Sequence, residues 1–266
     1  MNNTQTDLSY LLNYAFCGVE PYYSNHFTEL ASLAENEIWT FDNSKPNSIL
    51  QTYIINTFTR CYKQNKVIEN DNNSFSCFNT GLLTPNGNDI IGLFEQNQRQ
   101  GAQPWVFKGF RDKCNRDFMK LFIVVPELAT YTDNFEEYYY NPDLDIVINT
   151  DHILDDNWTR ISDNIPLPKD IVKTLLIGVV EEAKKRIKRN VRLVIPQFYK
   201  EKIMYLVPIK IPIADNSFET MALAVEKIND NQYRANTIFT KEIAYEKARL
   251  LMKPETNWLL PTIQHT

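Results

Sequence analysis

Between Arg192 and Phe239 four β-like runs follow one another with very little chain between them. They span 192–198, 202–211, 219–228 and 232–239, so the connections are three, seven and three residues long. A crossover between parallel neighbours needs a dozen or more residues. Each run can only turn back on the one before it, which predicts an antiparallel four-strand meander. A helix leads in, from about Pro168 to Arg189, with Ile171, Val172, Leu175, Leu176, Val179, Val180 and Ala183 as its apolar stripe. Pro168 suits the first turn, where its missing N–H costs nothing. A last helix over 241–251 follows the meander.

Upstream the pattern is mixed. Residues 1–25 read as an aromatic arm (Tyr10, Tyr14, Phe16, Tyr22, Tyr23) broken by Gly18 and Pro21, suited to packing on the domain or on a partner. A short helix over 27–36 leads to a strand at Ile38-Trp39-Thr40-Phe41, and a second helix covers about 48–66 with Leu50, Tyr53, Ile54, Phe58 and Tyr62 inward. Phe75–Phe78 and Asp89–Phe94 read as strands joined by residues 79–88, where Asn86-Gly87 is a hairpin signal. Another strand with a basic segment occupies 105–123, and a short strand at 146–148 precedes a turn that Asp151 is placed to cap. No regular β-α-β alternation appears. The fold class is therefore α+β, a mixed, largely antiparallel sheet with packed helices, arranged as the arm 1–25 and one domain over 26–266.

Composition bounds the function. The 266 residues hold 43% hydrophobic and 23% charged side chains, which is ordinary for a globular protein. A net charge of −5 gives no global attraction to nucleic acid, so any such binding needs a local basic patch. Cys17, Cys61, Cys77 and Cys114 are widely spaced, which argues against a zinc site or a disulfide framework and fits a reducing cytoplasm. No signal peptide or spanning stretch is read. The sequence lacks a P-loop, G-x-G-x-x-G, H-E-x-x-H and G-x-S-x-G, so no cofactor and no metal are expected.

Thr237 to Leu250, followed by Lys253-Pro254 and Trp258-Leu259, passes from strand to helix and sets Tyr245 and Arg249 four apart on one helical face. This block resembles the close of a bacterial family known as domain of unknown function 3825. Further landmarks of the resemblance occur in order over roughly 35–260. They include Phe78-Asn79-Thr80-Gly81-Leu82, His152-Ile153 with Asn157 and Arg160, Lys188-Arg189-Asn190, Pro196-Gln197-Phe198-Tyr199, Leu206-Val207-Pro208 and Ala222-Leu223-Ala224-Val225. Two departures stand out: Arg160-Ile161-Ser162 replaces the family's Arg-Phe-Pro, and Lys247 replaces an Asn. Some members are fused to a LOTUS-type RNA-binding domain, so the resemblance implies an RNA or nucleotide context.

Candidate site residues follow. Asn79, Thr80 and Gly81 can offer amides to a phosphate, or simply form a turn. His152, flanked by Asp151, Asp155 and Asp156, is the candidate acid or base, with a structural role as the alternative; the remaining histidines are His26 and His265. Arg160 and Arg249 are forked phosphate donors. Gln197 and Tyr199 share one strand face and are placed to line a pocket with Tyr245 and Arg249, or simply alternate in a half-buried strand. The landmarks add Asn157 and Asn190. Lys184 to Arg192 is the densest basic run, either a solvated helix end or a phosphate track. Lys108, Arg111, Lys113, Arg116 and Lys120, interleaved with Trp105, Phe107 and Phe110, suit single-stranded nucleic acid or a strand core. The leading expectation is an RNA- or nucleotide-binding domain, in a bacterial or phage RNA or conflict context, that processes its ligand if His152 acts. The alternatives are a non-enzymatic sensor or sponge for a nucleotide signal in bacterial or phage conflict, and a protein-interaction module that self-associates or binds a partner through the arm.

Overall fold

The computed structural model describes residues 10–41, 45–213 and 217–260. The chain divides into two compact units, 1–130 and 131–266. Each carries a five-stranded, mostly antiparallel sheet with helices, so the fold is α+β. No described helix is long and apolar enough to cross a membrane.

In the first unit, the sheet runs in the order β1 (Ala15–Phe16), β5 (Trp105–Asp112), β4 (Asp89–Gln96), β3 (Phe75–Leu83), β2 (Ile68–Glu69). Helices α1 (Tyr22–Leu33) and α2 (Ser48–Lys63) pack against it, and α3 (Arg116–Leu121) sets Phe118 beside Cys77, Ile91 and Leu93. β3 and β4 are buried on both faces along their middles, including the polar Ser76, Asn79 and Thr80, so neither shows an alternation of buried and exposed residues there. The described part of the arm belongs to this unit. Leu11, Ala15 and Cys17 are buried, β1 pairs parallel with Trp105 and Val106, and Tyr14 Oη donates to Ser76 Oγ at 2.8 Å. Residues 1–9 and His265 lie outside the described residues.

Some local expectations change. Residues 38–41 form no strand, although Trp39 and Phe41 are buried: their side chains pack, but their backbone joins no ladder. Asn79-Thr80-Gly81 lies inside β3 and not in the β3–β4 turn, which closes at Thr84 to Asn88. Between the pairs Asn79–Ile91 and Leu83–Asp89, β3 spends four residues where β4 advances two, which is a bulge. Gly81, at φ 74°, supplies the left-handed conformation this bulge needs.

In the second unit, the order is β6 (Asp145–Val147), β10 (Gln232–Phe239), β9 (Phe218–Lys227), β8 (Lys202–Pro212), β7 (Ile195–Tyr199). Strands β7 to β10 form the expected antiparallel meander, and β6 joins β10 in parallel. Helix α4 (Thr150–Ser162) is capped by Asn149, which accepts from His152 N, rather than by Asp151. Helix α5 (Lys169–Ile187) buries Val172, Leu176, Val179, Val180, Ala183 and Ile187, a stripe at helical spacing; Ile171 is instead exposed. These helices share a core with Ile203, Tyr205, Val207, Ile209 and Ile211, alternate residues of β8. Helix α6 (Lys241–Arg249), capped by Thr240, packs against β7, β9 and β10. Ala222 and Ala224 are fully buried in β9, and Ala244 and Ala248 in α6, small side chains that let a helix approach a sheet closely.

Candidate functional site

Strand β7 is short. It pairs with β8 only along Lys202 to Leu206, so among the described residues no strand covers β8 on that side from Val207 to Pro212. Pro208 and Pro212 fall in this uncovered stretch, where a missing N–H breaks no ladder. A groove of about 740 Å³ opens here. Its apolar surface comes from Leu193, Pro208 and Leu260, over a floor formed by the buried Val179, Ala183 and Ile187 of α5. Trp258 also lines it, its indole N–H held at 2.8 Å by the carbonyl of Leu193.

Charge in the groove runs against that of the chain. Arg186, Arg192, Lys210 and Lys241 line it with only Glu182 and Glu255 as carboxylates, in a chain whose net charge is −5. Arg186 is paired with Glu182 one turn back. Arg192, Lys210 and Lys241 form no ion pair among the described residues. Asn190 Oδ1 accepts from Arg192 N at 3.2 Å, which shapes the 3₁₀ turn Val191–Leu193 that presents Arg192. Lys210 of β8 and Thr220 of β9 are register partners, so they reach the groove together. Burial raises the pKa of the neighbouring Glu219, and the charge of Lys241 opposes that rise.

Of the residues expected from sequence, Asn190 lines this groove together with Arg186 and Arg192 of the basic run, and the other candidate site residues lie elsewhere. Asn157 and Arg160 meet at the far edge of the sheet. Arg160 Nη1 donates to Asn157 Oδ1 at 2.8 Å and to the Ile238 carbonyl at 2.6 Å, and Thr237 Oγ1 donates to the same Asn157 oxygen at 2.6 Å. Strand β6 pairs only with Gln232 to Arg234, so α4 here covers backbone of β10 that has no strand on its β6 side. Burial lowers the Arg160 pKa. His152 is exposed on α4, its Nδ1 3.5 Å from Asp156 Oδ2. Gln197 is buried in β7 and Tyr199 exposed at its end. Tyr245 and Arg249 are both buried on α6.

Asn79, Thr80 and Gly81 belong to the first unit, where the bulge uses their polar groups. Asn79 Oδ1 accepts from Gly81 N at 2.9 Å, its amide donates to Pro126 O at 3.2 Å, and Thr80 Oγ1 donates to Ile90 O at 2.7 Å. The basic–aromatic cluster of β5 and α3 is divided, with Lys108, Arg116 and Lys120 exposed. Trp105 and Phe110 are buried, while Lys108 pairs with Glu95 at 3.0 Å and Lys113 with Asp89 at 2.6 Å.

Lys210, Thr220, Lys241 and Trp258 were not singled out from sequence as ligand contacts. The available signal was Lys210 itself, a charge between Ile209 and Ile211 in an otherwise apolar run. Residues 30–258 match the family model described as Domain of unknown function (DUF3825). No curated protein and no solved structure matches the chain.

Proposed function

The chain belongs to the DUF3825 family, and we propose that its second unit binds RNA or a nucleotide in the groove beside β8. The observation that carries this reading is the pairing of an apolar surface bearing an anchored Trp258 with Arg192, Lys210 and Lys241, none of them ion-paired among the described residues. A nucleotide has the matching halves. Its base is a flat, weakly polar ring that an aromatic or apolar surface accepts, and its phosphate is an anion that guanidinium and ammonium groups hold. The volume lies in the range of pockets that enclose small organic ligands, about 300–1,000 Å³. Arg192 is the forked donor, Lys210 and Lys241 are point charges, and Asn190 positions Arg192. His152 does not line the groove, so the reading stops at binding and includes no chemical step.

The test is fluorescence anisotropy of labelled nucleotides and short RNAs with the wild-type chain and with Arg192→Glu/Lys210→Glu. A hydrogen bond to a charged group contributes about 1.5–3 kcal/mol, so losing both contacts weakens binding by at least about a hundredfold. Both side chains are exposed, so the variant keeps its fold by circular dichroism. Equal affinity in a folded variant would remove the groove as the site.

A further inference from the structure

We infer that the ligand of this groove is a single-stranded oligonucleotide that continues out of it along the end of α5, rather than a free mononucleotide. The inference rests on the binding reading above. Basic charge does not stop at the groove wall. Lys185 in the last turn of α5 and Arg189 in the turn just past its end are both exposed and flank Arg186 in the chain. Arg189 Nη1 donates at 2.7 Å to the carbonyl of Lys185, which holds the guanidinium against the last turn. The acids that could neutralise this face are engaged: Glu181 holds Lys184 at 2.7 Å and Glu182 holds Arg186. Lys185 and Arg189 form no ion pair among the described residues.

A mononucleotide filling the groove would leave these two cations unused. A strand with one nucleotide in the groove would bring its next phosphates to them. The strand must be single. The apolar surface and Trp258 accept a base face, and bases in a duplex have both faces covered by stacking.

The experiment measures affinity for a homopolymeric RNA series, from one nucleotide to about ten, at several salt concentrations, with wild type and Lys185→Ala/Arg189→Ala. Support is an affinity that climbs with length in the wild type. In the variant that climb is lost, mononucleotide affinity stays unchanged, and the slope of log affinity against log salt falls by about 1.4, since each single-strand phosphate contact contributes about 0.7. A mononucleotide that binds as tightly as any strand, with no effect of the variant, overturns the inference and leaves the binding reading standing. Duplex RNA or inorganic polyphosphate binding as tightly as the single strand also overturns it. Failure of every nucleotide and strand to bind the folded wild type overturns both.

Discussion

Glu219 shows how a residue beside the groove is governed by its surroundings. Burial raises its pKa above the ordinary 4.5, and Lys241 opposes the rise without cancelling it. The folded state therefore holds the proton more tightly than the unfolded chain does. The stability this contributes is complete below the ordinary value and is lost as pH rises through the folded value. Glu219→Gln removes the cost of ionisation, so it should stabilise the protein at neutral pH by about 0.5 kcal/mol, a modest figure for a partly exposed group. The gain should vanish in urea melts at pH 4 and below; a gain that persisted there would trace to something other than ionisation. Arg192 and Lys210 follow the opposite logic, since exposed cations incur little desolvation and stay available to a ligand.

At the scale of elements, the second sheet treats its two incomplete edges differently. β6 covers only part of β10, and α4 supplies Arg160 and Asn157 where that outer edge runs on uncovered. β7 covers only part of β8, and there prolines blunt the edge and the groove opens. Arg160→Ala removes the donor to the Ile238 carbonyl and one bond to Asn157, and should cost about 1–3 kcal/mol. A urea midpoint matching wild type would mean that water serves the β10 edge equally well. Helix α5 joins both roles: its buried stripe completes the core, and its last turn carries the cations. That helix was plain in the sequence because one periodic stripe runs through it. The strand expected at 38–41 was not there because burial of Trp39 and Phe41 needs only packing, whereas a strand needs a partner ladder.

At the scale of the molecule, the large core formed by α4, α5 and the meander draws its buried residues, among those described, from Tyr140 to Ile238, with Tyr131, Tyr138 and Leu251 packed against it. Residues 131–266 expressed alone should therefore melt cooperatively, with far-ultraviolet dichroism of mixed helix and strand. A fragment without a cooperative transition would show that this core is insufficient by itself. The sequence alone determined the α+β class, the meander and the helix before it, because hydrophobic periodicity and short connections are local properties of a chain. It also located the basic run 184–192, whose Arg186 and Arg192 reach the groove. Only the tertiary structure decided that Asn79, Thr80 and Arg160 hold backbone in place, and that Lys210, Lys241 and Trp258 meet around one groove. The reason is physical: whether a polar side chain is engaged depends on which distant carbonyl or carboxylate the fold brings within hydrogen-bonding reach, and sequence spacing does not carry that distance.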